Sequence, residues 1–242
     1  MITRTLVGTA AALTVFTTTA HAEPVKGAPD LTHNALYKAA KLPKVPCKPV
    51  KGTSLASTKN YVTKLVDCLN RAWKPVIKDF RPVKVKFKDA ADKQSCSTGL
   101  DLSGSFSEIC ATTINVRVAS DWIKAKDDLK VFTSIVRTWS SVVTGQTGIG
   151  QAWWALENGA SEAVMDEHNR RYYLQIDCFT GVSAKSLGRV VKDWKSVTRI
   201  PEFWKNRFHG TAANRLRWSE QGYKAGRPGA CNTWTASSAK VA

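Results

Sequence analysis

The chain has 242 residues, of which 36 are Lys or Arg and 19 Asp or Glu, giving a formal charge of +17 with 43% hydrophobic residues. That length suits one domain with a real core, or at most one domain plus a tail. So strong a positive field favours anionic surroundings, but the lysines are dispersed. No tract interleaves arginine with aromatics as a single-strand nucleic-acid binder would.

Residues 1–22 read as a signal peptide. Arg4 supplies the charged start, Leu6 to Phe16 the apolar run, and Ala20-His21-Ala22 a small-x-small cleavage site. The run is too short and threonine-rich to span a bilayer, and no later run is apolar enough to do so. The expected mature protein starts near Glu23 and is exported and soluble. Residues 23–52 carry Pro24, Pro29, Pro43, Pro46 and Pro49 among lysines. They read as an extended, loosely held arm with one short helix around Asn34 to Lys41.

Residues 53–242 form the expected domain. Ser54 is placed to cap a helix running through Tyr61, Val62, Leu65, Val66, Leu69 and Trp73. Val83 to Lys88 alternates apolar and basic residues, the pattern of a strand with Lys84, Lys86 and Lys88 on a wet face or edge, where they could bind a polyanion but more commonly serve to block further pairing. The Ser/Gly-rich segment from Cys96 to Cys110 reads as a stapled loop, and Thr113 to Val118 as the next strand.

Val131 to Thr144 then places Val131, Phe132, Ile135, Val136, Trp139, Val142 and Val143 at helical spacing. This buried stripe leaves Ser134, Arg137, Ser141 and Thr144 on the other side, with Arg137 and Ser141 four apart on one face. Trp153 and Trp154 follow in a loop or short helix, as packing or as a carbohydrate or peptide platform. A second long helix is expected from Ser161 to about Phe179, with Tyr173 and Asp177 on one face. A further helical segment is expected over Val182 to Trp194, an interruption at Pro201, and a last helix from about Thr211 to Tyr223 ending near Gly226.

Six cysteines in an exported chain favour disulfides, and the absence of Cys-x-x-Cys argues against a zinc ribbon or thioredoxin-type site. Among fifteen possible connectivities, sequence proximity suggests Cys47–Cys68 and Cys96–Cys110, leaving Cys178–Cys231. Glu162 and Asp166, with Glu157 nearby, could form a carboxylate pair of the glycosidase type, although a capped helix start accounts for them equally well. No Gly-x-Ser-x-Gly elbow occurs. Of the histidines remaining after processing, His33 lies in the arm, and His168 has acidic neighbours that do not converge on one ion.

Several stretches, in order, resemble the secreted neutral zinc metallopeptidase family, a zincin-like group. They are Asn34 to Lys38, Cys68 to Pro75, Leu174-Gln-Ile-Asp-Cys-Phe-Thr-Gly181, and His209-Gly-Thr-Ala-Ala-Asn-Arg-Leu-Arg-Trp218 followed by Gly222, Gly226 and Cys231-Asn-Thr-Trp234. The resemblance covers most of the chain from about Asn34 onward. It implies an α+β, zincin-like fold, a small sheet packed against long helices that carry the metal-site positions, stapled by disulfides. In that family the strand corresponding to Thr113–Val118 runs beside the active-site helix, where an extended peptide can pair with it.

Where the family carries His-Glu-x-x-His, this chain reads Arg137-Thr138-Trp139-Ser140-Ser141. The resemblance places the zinc-ligand positions on Arg137, Ser141 and Tyr173, and the general base on Thr138. All four are changed. Asp177 matches the family's supporting aspartate and His209 its late histidine, for which a hydrogen-bonded structural role is the expectation. Arg137 is expected to pair with Asp177, so that a cation stands in the metal's place. Zinc is the family's cofactor, but its ligands are absent here, so no cofactor is expected. The expected function is that of a secreted pseudoenzyme binding a peptide or an anionic cell-wall polymer. The alternatives are an active zinc peptidase or other hydrolase with an unrecognised site, and a surface protein that binds polyanions by charge alone.

Overall fold

In a computed structural model the described residues are 25, 27–89, 91–110, 112–156, 160–191, 194–195 and 207–242. The expected signal peptide, Glu157 and Pro201 lie outside them. The chain is α+β, with three disulfides and a small mixed sheet against helices.

After a short helix α1 (Pro29–Thr32) and a 3-10 turn (Ala35–Lys38) comes α2 (Leu55–Trp73). Ser54 starts α2 through a reciprocal cap: Ser57 N donates to Ser54 Oγ at 3.2 Å, and Ser54 N to Ser57 Oγ at 2.9 Å. The sheet comprises β1 (Lys84–Phe87), β2 (Phe106–Cys110) and β3 (Thr113–Arg117), in the order β1-β3-β2. β1 runs parallel and β2 antiparallel to the central β3. Then follow α3 (Ser120–Ile123), α4 (Leu129–Gln146), α5 (Ile149–Ala155), α6 (Glu162–Ser186) and α7 (Ala212–Ala225).

The stripes read from sequence are the ones buried. Tyr61, Val62, Leu65, Val66, Leu69 and Trp73 of α2 meet Val131, Phe132, Ile135, Val136, Trp139 and Val143 of α4 in one core; Val142 is only half-buried. Trp73 joins three helices. Its ring lies 5.8 Å from Trp139 and 5.5 Å from Phe179, and its indole N–H donates to Ser183 Oγ of α6 at 2.9 Å. The polar side of α4 is also covered, because α6 packs along it: Ser140 and Thr144 are fully buried, Thr144 bonded to Tyr172 at 2.8 Å.

Five expectations are corrected. The arm is not loose: Leu31, Leu36, Leu42 and Val45 are buried, Leu42 N donates to Gly226 O and Val45 N to Ser186 O. The stapled segment from Cys96 to Cys110 contains a strand, β2, because its last five residues pair with β3. β2, rather than β3, therefore lies against α4 and offers the sheet's second edge. Lys88 does not share the wet face of Lys84 and Lys86, since its side chain is 9% exposed and faces Asp92 at 3.1 Å. Finally, α6 does not stop near Phe179 but runs unbroken through Gly181 and Val182 to Ser186. Gly181, within that helix, is a point of close approach. A Cβ there would stand 2.0 Å from the Ser219 carbonyl oxygen of α7. Across the same seam a Cβ on Gly222 would stand 2.0 Å from the Cys178 carbonyl oxygen, and the Cys178–Cys231 disulfide ties α6 to the turn after α7. Gly226, with φ of 62°, ends α7 in the left-handed conformation that favours glycine.

The disulfides Cys47–Cys68, Cys96–Cys110 and Cys178–Cys231 join residues with Cα atoms 6.0, 6.0 and 5.5 Å apart. No helix among the described residues is long and apolar enough to cross a membrane.

Candidate functional site

Helical spacing sets Tyr173 and Asp177 one turn apart on α6, facing Arg137 on α4. The third element is α7, whose N-cap Thr211 accepts from Asn214 N at 3.2 Å. Arg215, Trp218, Ser219 and Gly222 share its inner face. Three charged side chains meet where the helices converge. Arg137 Nε donates to Asp177 Oδ1 at 2.8 Å, Arg215 Nε to Asp177 Oδ2 at 2.8 Å, and Arg215 Nη2 to Asp177 Oδ1 at 3.4 Å. The Asp177 and Arg215 side chains are 4% and 3% exposed, while that of Arg137 is 29% exposed.

Burial alone would raise the Asp177 carboxyl. Arg215 and Arg137 outweigh it and hold the group below the usual carboxylate range. His209 stands beside the cluster in the turn before α7, its ring 4.1 Å from that of Tyr173 and its Nδ1 accepting from Arg137 Nη2 at 3.4 Å. Burial, reinforced by the Arg137 guanidinium, pushes this imidazole down to about 3, so it is neutral near pH 7. Two guanidiniums, one carboxylate and a neutral imidazole leave the cluster with a net positive charge.

The His209 shift has a consequence for stability. Between its folded value and the ordinary histidine range the unfolded chain binds a proton that the folded chain does not. Stability is therefore present above about pH 6.5 and is lost as pH falls toward about 3. The denaturant midpoint is expected to fall between pH 7 and pH 4, with a shallower slope in His209→Gln. Parallel slopes for the two proteins would show that His209 does not carry the effect.

Of the six site positions that the resemblance implies, the two altered ligand positions Arg137 and Tyr173 meet the supporting Asp177 and the structural His209, while Thr138 and Ser141 turn away. Ser141 Oγ turns back on its own helix toward the Arg137 carbonyl at 3.4 Å. Thr138 leans to the sheet. Its Oγ1 lies 2.7 Å from Ser107 Oγ and donates to the Ser107 carbonyl at 3.1 Å, and Ser107 Oγ also meets Ser134 Oγ at 2.8 Å. These hydroxyls stitch the outer edge of β2 onto α4, so the Ser107 carbonyl is already occupied where an extended peptide would seek to pair.

The donor set around Asp177 does not fit zinc. Arginine keeps its proton, the serine hydroxyl is turned toward its own backbone, and both Asp177 oxygens are held by guanidiniums. Among the described residues, three metal-donor side chains cluster at Cys96, Glu108 and Cys110, but the two sulfurs form a disulfide. Glu108 serves as a loop anchor, accepting from Ser95 Oγ at 2.6 Å and Cys96 N at 3.0 Å. The carboxylates of Glu162 and Asp166 share one cation, Arg207, rather than flanking an open site. His168 packs near Trp234, its ring 6.4 Å from the indole.

Two participants were missed in sequence. Arg215 has a spacing to Trp218, Ser219 and Gly222 that marks it as inward-facing, but nothing near it in sequence names its partner. Ser107 sat in a stretch read as loop. Compared with protein-family models, with curated proteins and with solved structures, the chain matches none.

Proposed function

We propose that this chain is an exported, zincin-like pseudoenzyme that acts by binding, with Arg137 standing where a catalytic relative would hold its metal. The observation that carries the proposal is the Arg137–Asp177–Arg215 cluster. It is a fixed, net-positive group whose outer guanidinium reaches solvent, and among the described residues no set of metal donors converges on it. Such a group suits a carboxylate, on a peptide or on an anionic wall polymer, better than it suits hydrolysis. The strong positive charge, +17 for the full chain and one less without Arg4, draws anionic ligands toward the surface, while the cluster gives them a place to stop. Disulfides fit the oxidising compartment that an exported protein meets. Lys84 and Lys86, exposed on the outer strand β1, protect an edge and give no support to a dedicated polyanion track.

The test is calorimetric titration of the folded chain, in chelator, with acidic peptides and with acidic oligosaccharides. Saturable binding that survives chelator and weakens at least tenfold in Arg137→Gln is expected for at least one of them. Binding that falls off identically in both proteins as salt rises would leave only non-specific charge attraction and refute the proposal.

A further inference from the structure

An aromatic wall leads from the Arg137 guanidinium out to solvent, and nothing in the metal-site resemblance accounts for it. The guanidinium carbon lies 5.9 Å from the Tyr173 ring centre, Tyr173 lies 6.4 Å edge-on to Trp153, and Trp153 lies 5.9 Å edge-on to Trp154. Trp153 is fixed by stacking flat on Tyr172 at 4.0 Å and 9°, and Tyr172 is fixed in turn by its hydroxyl contact with Thr144. Trp154 is 67% exposed, the most exposed aromatic side chain among the described residues. At the inner end, Arg137 spends Nε on Asp177 and Nη2 on His209, while Nη1 donates to no described residue. Because Asp177 is already neutralised by the buried Arg215, the charge on this outer edge is not cancelled.

From this geometry we infer that the ligand is an acidic oligosaccharide, a chain of pyranose rings bearing carboxylates. One ring lies on the exposed face of Trp154, and a carboxylate reaches the Nη1 edge of Arg137. The inference rests on the binding reading above and narrows it. Two features choose sugar over peptide. An exposed indole on a rigid stacked support presents a flat apolar face, which matches the C–H face of a pyranose. A peptide laid beside α4 would draw its register from the edge of β2, and there the Ser107 carbonyl is taken by Thr138. Recognition then falls to rings and charge, with few polar groups to set orientation.

The experiment uses the full folded chain and three tetrasaccharides: oligogalacturonate, oligomannuronate and a glucuronate-containing hyaluronan fragment. Each is compared with its methyl ester, which keeps the rings and removes the charge. The expected result is that at least one acid binds, that its ester binds at least tenfold more weakly, and that Trp154→Ala loses at least tenfold. As a solvent-exposed substitution, Trp154→Ala keeps the fold, so its effect reads contact with ligand. Equal binding of acid and ester, or an unchanged affinity in Trp154→Ala, would overturn the inference. If no sugar binds while an acidic peptide binds with dependence on Arg137, the sugar inference falls and the binding reading stands. If nothing binds with dependence on Arg137, both fall.

Discussion

Asp177→Asn is expected to destabilise the fold by about 3–5 kcal/mol, the largest effect of any single change at the site, because it leaves two guanidiniums facing each other with no counter-charge. The cost falls mainly on Arg215, whose side chain is 3% exposed and cannot turn to water. Arg137→Met should cost much less, since its side chain is 29% exposed and Arg215 still neutralises Asp177 through both carboxylate oxygens. Urea unfolding of the three proteins at neutral pH gives the ranking. An Asp177→Asn protein as stable as the parent would mean that the cluster is not formed in solution. The depressed Asp177 carboxyl adds a sign to the same experiment. Its contribution is present above the ordinary aspartate range and is lost as pH falls through its lowered folded value, so the gap between parent and Asp177→Asn should narrow in acid.

Gly222→Ala is expected to cost about 3 kcal/mol or more, at the top of the range for overpacking, because the new methyl meets backbone rather than a side chain that could move. Its Cβ would lie 2.0 Å from the Cys178 carbonyl oxygen and 3.1 Å from Cys178 Sγ, at a seam already held by a disulfide. Separating α6 from α7 would also draw Arg215 away from Asp177, so the damage reaches the site. Gly145 is the control. It lies within α4 with nothing within 4 Å of its would-be Cβ, so Gly145→Ala should be neutral or stabilise by up to about 1 kcal/mol. Thermal unfolding of the two variants reads the difference directly, and similar midpoints would contradict the close α6–α7 approach.

How much of this was legible depended on whether a feature is local. The stripes of α2 and α4 were, because a 3.6-residue period is written in neighbouring residues and both helices bury one face against the other. The Ser54 cap and the Gly226 stop are equally local. The arrangement of the sheet was not. β1 pairs parallel with β3 although β2 comes between them in sequence, and the five residues of β2 stand beside a Ser/Gly-rich loop that hides them. The run of α6 past Phe179 was hidden for a different reason: the missing Cβ of Gly181 serves α7, a partner far along the chain. At the site, the pairing of Arg137 with Asp177 was an expectation drawn from the resemblance alone, and the two side chains do meet. Arg215 could not be assigned, since a buried arginine on an otherwise polar helix acquires meaning only when its counter-ion is known. Trp153 and Trp154 were visible as a pair, but their alignment with Tyr173 and Arg137 depends on how α5 folds back onto α6.

The most direct test of the central claim is elemental analysis for zinc, on the folded, disulfide-bonded protein produced in zinc-replete medium and then desalted. A guanidinium held by Asp177 should leave the protein with no stoichiometric zinc, in the parent and in Arg137→Gln alike. About one zinc per chain, lost when His209 or Asp177 is replaced, would mean that these side chains ligate metal and that the Arg137–Asp177–Arg215 cluster gives way to it in solution.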